Sequence, residues 1–128
     1  MSALTPPTPP QSPAERSPLQ AVADATARHY KEYFGRGPTR CRAHFAGKDA
    51  IVCVLESTMS LAEQHLVAHG DAERMRDGRL AAQQSVQGIL RATVEELCGR
   101  PIRYAVSGID VRADVVTELF AFHEDAAD

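Results

Sequence analysis

The sequence predicts an α+β fold, with two helix–strand–strand units joined by a helical linker. The four strands form a mainly antiparallel sheet whose helices cover one face. Three observations lead there. Apolar residues recur at steps of three and four from Leu19 to Phe34 and again from Met75 to Leu97, the period of an amphipathic helix. After each of these stretches the pattern changes to alternation or to a short apolar run, as expected of strands. The two junctions also resemble each other: Glu32-Tyr33-Phe34-Gly35-Arg36-Gly37-Pro38-Thr39-Arg40 against Glu96-Leu97-Cys98-Gly99-Arg100-Pro101-Ile102-Arg103. Each copy is a helix end, Gly-Arg, a proline, then an arginine where a hairpin starts. A chance pair of helix-stop signals is the plainer reading, since Gly followed by Pro commonly ends a helix.

Residues 1–18 contain six of the eight prolines, interspersed with Ser, Thr and Gln, and carry only Glu15 and Arg16 as charges. Such a segment buries too little apolar area to offset its ordering entropy, so it reads as a disordered tail. It has neither a basic start nor an apolar run, so it is not read as a signal peptide. Pro6-Pro7-Thr8-Pro9-Pro10 suits either a linker or a polyproline-binding groove. Residues 19–123 then form a single α+β domain, and residues 124–128 an acidic tail.

In the first helix Ser17 is placed to cap the start and Pro18 to occupy the first turn. Leu19, Val22, Ala23, Thr26, Tyr30, Tyr33 and Phe34 line one face; Gly35 ends it and Pro38 prevents continuation. Next, Cys41, Ala43 and Phe45 point one way and Arg40, Arg42 and His44 the other. Gly47-Lys48-Asp49 turns a hairpin into Ile51–Leu55, read as a strand buried on both sides or nearly so. Ser60-Leu61-Ala62-Glu63 is a capping box opening a short helix that runs to His69 and stops at Gly70. Asp71 is placed to cap a long helix with apolar positions Met75, Ala82, Val86, Ile89, Leu90, Thr93, Val94 and Leu97. Gly78 and Gly88 each weaken it by roughly 1 kcal/mol relative to alanine, which points to a kink or close packing near Gly78. The helix ends at Cys98-Gly99, and Ile102–Val106 and Val115–Phe122 are the last two strands. A sheet covered on one face leaves the other face, or an edge, open to a second copy, so a homodimer is expected.

Several function classes are set aside by composition. The longest apolar run, Ala50–Leu55, is far short of the roughly 20 residues of a membrane-spanning helix, so the chain reads as soluble, with no membrane insertion. An odd count of three cysteines argues against a disulfide framework and for a reducing cytoplasm. A net charge of −3 implies no general affinity for nucleic acid. The charge is uneven, though: Arg28 to Lys48 holds six Lys/Arg, while Thr117 to Asp128 holds acids and no Lys or Arg.

The candidate binding residues are therefore Arg36, Gly37, Thr39, Arg40 and Arg42. Arginine forms two-pronged hydrogen bonds to carboxylate or phosphate, and backbone N–H groups around the glycines can assist. Against an anion, the turn follows a helix, whose dipole opposes negative charge there, and no Gly-Lys-Ser/Thr follows. The plainer role for these cations is to stabilise the helix end and coat a solvated strand face. RNA binding by the same patch lacks the aromatic-studded strand such modules use. His65 and His69 are four apart, but Leu66 stands where a zinc protease needs Glu, so both read as surface residues. Cys41 and Cys53 occupy apolar strand positions, and Cys98 sits at a helix C-terminus, which disfavours a thiolate. Ser57, Ser60 and Ser107 lack a nucleophile-elbow context, and Glu95 and Glu96 diverge from their helix. No catalytic residue, metal or cofactor is called for, and the chain is not read as an enzyme.

The run His29 to Arg40, the arginine-bearing strand after it, the Ile-Val-Cys-Val-Leu-Glu strand and the Glu-x-x-Leu helix resemble the MpsC-like family. The likeness extends over Leu19 to Phe122, more loosely in the second half, where Gly99-Arg100 and Asp114–Phe120 fit. The last turn departs from it, reading Ser107-Gly108-Ile109-Asp110 where relatives are often richer in Asn and His. The resemblance implies an accessory role beside a membrane system that translocates cations or takes up inorganic carbon and generates membrane potential. The expected function is then that of a non-enzymatic cytoplasmic accessory or regulatory protein, possible partner of a transporter subunit. A small-anion or nucleotide sensor and an RNA-binding module are the alternatives.

Overall fold

A computed structural model describes residues 17–124; most of the proline-rich segment and the residues after Glu124 lie outside the described part. The elements run α1 (Pro18–Phe34), β1 (Arg40–Phe45), β2 (Ala50–Glu56), α2 (Leu61–Ala68), α3 (Ala72–Cys98), β3 (Ile102–Asp110) and β4 (Val115–Phe122). All four strands pair antiparallel in one sheet of order β1-β2-β4-β3. Each unit thus places its first strand at an edge and its second in the middle, and β2 and β4 join the units. In that central pair Ile51 opposes Phe120, Cys53 opposes Glu118 and Leu55 opposes Val116.

The helix starts and stops follow local chemistry. Ser17 Oγ accepts the Gln20 N–H at 3.1 Å, with Pro18 in the first turn. At α2 the box is complete: Ser60 Oγ accepts Glu63 N–H at 3.1 Å and Glu63 Oε1 accepts Ser60 N–H at 2.9 Å. Gly35 and Gly99 close α1 and α3 in left-handed conformation, at φ 75° and 64°, where any other L-residue is strained. Asp71 precedes α3 but makes no side-chain capping bond. Close packing at Gly78 is likewise not found. α3 continues through both Gly78 and Gly88, and a Cβ at either would meet nothing within 4 Å.

α1 packs on β1 and β2, α3 packs on β3 and on α1, and α2 leans on α3. The core lies between this helical layer and one face of the sheet. Val22, Tyr30, Ile51, Cys53, Leu55, Leu90, Val94, Val116 and Phe120 are at most 1% exposed. Strand β2 is fully buried on one side and half-buried on the other: Ile51, Cys53 and Leu55 are buried and alternate with half-buried Val52 and Val54. Tyr33 is likewise off the buried face of α1, at 41% exposure. The buried stripe of α3 is Met75, Arg79, Gln83, Leu90 and Val94, leaving Ile89 and Leu97 on the outside.

Candidate interaction surface

Polar residues inside the core are the first place where chemistry gathers. Tyr30 Oη donates to Glu118 Oε2 at 2.6 Å and receives Gln83 Nε2 at 2.8 Å. Ser107 Oγ donates to Glu118 Oε1, and Gln87 Nε2 donates to Ser107 Oγ at 3.2 Å. Burial pushes the Glu118 carboxyl above the usual carboxylate range, against the opposing effect of these two hydroxyls. Burial, aided by the Glu118 charge, raises the Tyr30 phenol as well. Both Glu118 oxygens are engaged and the residue is 3% exposed. The cluster is therefore a tie between α1, α3 and the sheet, not an acid–base site open to substrate.

Arg79 makes a second internal tie. Its Nε donates to Glu63 Oε2 at 3.0 Å, its Nη1 to Thr58 Oγ1 at 3.1 Å and its Nη2 to the Thr58 carbonyl at 3.1 Å. The guanidinium also sits 4.6 Å from the Phe34 ring centre. Burial works against the Glu63 carboxylate, but hydrogen bonds from Arg79 and the Ser60 N–H outweigh it and hold its pKa below the usual range. The segment leading into α2 is fixed from its other side by Asp114, whose Oδ1 accepts the Thr58 and Met59 N–H groups at 3.0 and 3.1 Å. Ser57 and Asp114 both have positive φ, 64° and 55°. They are bonded by Ser57 N–H to the Asp114 carbonyl at 2.9 Å, which stabilises the turn out of the sheet.

The candidate arginines do not converge. Arg36 Nη1 donates to the Met59 carbonyl at 3.0 Å, so it anchors the loop before α2. A Cβ at Gly37 would meet the stem of Lys31 at ordinary contact distance. Thr39 extends the β1–β2 ladder, its N–H donating to the Glu56 carbonyl at 3.0 Å. Arg40 and Arg42 remain together, exposed with His44 on the same side of edge strand β1. Arg40 Nε lies 3.8 Å from Glu56 Oε2, a loose and solvated pair. The anion cradle predicted for the whole turn is thus reduced to two arginines on a strand.

That side of β1 belongs to the sheet face opposite the helices. Register places His44, Val52, Leu119 and Val106 in one row across the four strands, and Arg42, Val54, Thr117 and Gly108 in the next. Tyr104 and Val106 are 50% and 55% exposed there, beside half-buried Val52, Val54 and Leu119. The result is an apolar band with a cationic border along β1. The sequence signal for it was the alternation in β2 and β4, hidden because both faces of these strands carry apolar residues.

Other candidates have ordinary roles. His69 Nδ1 lies 2.8 Å from the His65 carbonyl, within the α2 C-terminus. Ala62, His65, Leu66, His69 and Asp71 line a shallow open groove of about 620 Å³. No group of three or more potential metal ligands occurs among the described residues. Burial pushes the Cys41 and Cys53 thiols up to about 11 and about 12, and raises Cys98 too. Burial thus disfavours the thiolate at all three positions.

Among the described residues no helix is long and apolar enough to cross a membrane. Comparison with known families matches residues 16–124 to MpsC, described as a Na+-translocating membrane potential-generating system. The match takes in every element of the fold, and the chain belongs to that family. No curated protein and no solved structure gives a significant match.

Proposed function

We propose that this member of the MpsC family is a non-enzymatic, cytoplasmic accessory or regulatory protein. It works as a homodimer beside a membrane subunit of a cation-translocating system. The observation that carries the reading is the cationic edge of the sheet: Arg42 is exposed without a charge partner among the described residues, and Arg40 is only loosely paired. Such an edge suits an acidic cytoplasmic segment of a partner protein, through charge-assisted hydrogen bonds. The sealed Glu118 cluster and the protonated thiols favour a binding role over a catalytic one. A small-anion sensor is less well supported, because Arg36 is committed to the Met59 carbonyl and cannot close around a ligand with Arg42.

The test is affinity capture from gently solubilised host membranes with tagged wild type and Arg42→Glu. A membrane subunit recovered with the wild type, and about tenfold less with the variant, is the expected result. Equal recovery with both, or recovery of this chain alone, overturns the reading. A melting-temperature rise with bicarbonate or a nucleotide that vanishes in Arg42→Glu favours the anion sensor instead.

A further inference from the structure

We infer that two copies pair through their open sheet faces, with a two-fold axis running along the strands so that β1 of each chain lies over β3 of the other. This gives the proposed homodimer a surface and an orientation, and it stands whether or not the membrane partner is found. The inner strands β2 and β4 present Val52, Val54 and Leu119 on that face, and Glu56 at one end is their sole charge there. Charge sits instead at the two edges, and the edges differ. β1 contributes Arg40, Arg42 and His44, while β3 contributes Tyr104, Val106, Gly108 and Asp110.

The charge pattern selects the orientation. A two-fold axis lying across the strands sets β1 on the partner's β1, which brings the arginines Arg40 and Arg42 of one copy onto the arginine-bearing strand of the other. An axis along the strands exchanges the edges. Arg40 pairs with Glu56, Glu56 with Val115 and Val115 with Asp110, so Arg40 and Asp110 are the two ends of one row. Rotation about the long axis keeps the row and swaps its ends, which brings Arg40 to the partner's Asp110 twice per dimer. Aligned sheets cross at about 30°, an offset an arginine side chain spans. Asp110 Oδ1 accepts the Arg112 and Ala113 N–H groups, and its second oxygen is the one the partner's Arg40 would engage. Arg42 falls over the partner's Gly108, at the rim, where it stays free for another protein.

The size of the face bears on whether the pairing is permanent or reversible. Four strands about 4.8 Å apart, each about seven residues of 3.3 Å rise, give a footprint of roughly 440 Å². A face of this extent, against the roughly 800 Å² of accessible surface that each partner buries in a standard interface, fits a weak and reversible pairing rather than an obligate one.

Sedimentation equilibrium over a concentration series tests the pairing, with circular dichroism and melting curves to confirm folding. Wild type is expected to pass from monomer to dimer in the micromolar range. Leu119→Asp is expected to weaken the dimer about a hundredfold by burying a charge. Arg40→Asp and Asp110→Arg each place like charges at both contacts, and each is expected to weaken it about tenfold. Mixing these two variants restores opposite charges at both contacts and is expected to restore association. Should Asp110→Arg not fold, Asp110→Asn retains the turn acceptor and still weakens the dimer. A wild type monomeric to millimolar, a dimer indifferent to Leu119→Asp, or charge variants not rescued by mixing would overturn the inference. Capture of a membrane subunit by Arg42→Glu bears on the proposed partner and leaves this pairing untouched.

Discussion

In α1–β1–β2 the helix ends at Gly35 and is followed by an arginine that grips main chain; in α3–β3–β4 it ends at Gly99 and the same happens. Arg36 holds the Met59 carbonyl, while Arg100 holds the Lys48 and His123 carbonyls and the Asp49 carboxylate. The two units meet at β2 and β4, where Cys53 faces Glu118. There the likeness stops. The core centre of the first unit is a thiol beside the Thr26 hydroxyl at 3.8 Å, and that of the second is a buried carboxyl with two hydroxyl donors. The open faces of the outer strands diverge too, β1 presenting Arg40, Arg42 and His44 and β3 presenting Tyr104, Val106, Gly108 and Asp110. Turn chemistry and alternation are enough to build the frame twice. What each copy can bind depends on side chains the frame leaves free.

The largest expected effect tests whether the units share one core. Ile51 and Phe120 oppose each other on the helix-covered face, at 1% and 0% exposure. Phe120→Ala is expected to cost about 3–5 kcal/mol and Ile51→Ala about 2–5 kcal/mol. Urea unfolding followed by both circular dichroism and tyrosine fluorescence should show one coincident transition for each variant. Two separate transitions would mean that the units unfold independently, and the single-core comparison would fail.

A smaller effect separates the two core centres. Burial raises the Glu118 carboxyl above its ordinary 4.5, so the folded state holds that proton more tightly than the unfolded chain. The associated stabilisation is complete below pH 4.5 and is lost as pH rises through the raised value. Glu118→Gln keeps a polar side chain and removes the charge. Its stability relative to wild type should therefore improve steadily from acid toward neutral pH. Cys53, at about 12, does not titrate in that window, so the difference between Cys53→Ala and wild type should be flat. A flat difference for Glu118→Gln would show that the carboxyl is not desolvated as the packing implies.

Much of this frame is local and was legible in the sequence for that reason. Ser17, Ser60, Gly35 and Gly99 act within a few residues of themselves, and the β1–β2 hairpin is set by Gly47-Lys48-Asp49. The buried stripe of α3 was legible only in part: the period picks out Met75, Leu90 and Val94, but Arg79 and Gln83 also occupy the stripe while Ile89 and Leu97 lie outside. Their burial depends on partners far away in sequence, Thr58, Glu63 and Tyr30. The four-residue spacing of Met75, Arg79 and Gln83 before Leu90 and Val94 was the available signal, and polarity masked it. At the surface, the alternation of Arg40, Arg42 and His44 was read correctly from the strand period. Arg36 groups with them in sequence but not in space, because its engagement with Met59 depends on where a loop 23 residues later returns. How deeply Val52 and Val54 are buried is not legible, since an apolar run does not say whether a layer covers its second face.

The smallest effect compares how the two units begin their helices. Ser17 caps α1 through its hydroxyl, with the Gln20 N–H at 3.1 Å. Asp71, at the same place in the second unit, has φ −98° and ψ 32° and makes no side-chain cap bond. The cap geometry needs an extended residue whose side chain turns back over the first turn, and Asp71 is already wound towards the helix by the preceding turn. Ser17→Ala should therefore lower stability by about 1 kcal/mol. Asp71→Ala should change it by less than about 0.5 kcal/mol, the remaining loss being the carboxylate's attraction to the positive end of α3. Chemical denaturation of the two variants at low and at high salt checks both values, since the charge contribution fades with salt and the hydroxyl bond does not. A salt-independent loss of 1 kcal/mol at Asp71 would mean that it caps α3 in solution, and the helix starts of the two units would then be equivalent.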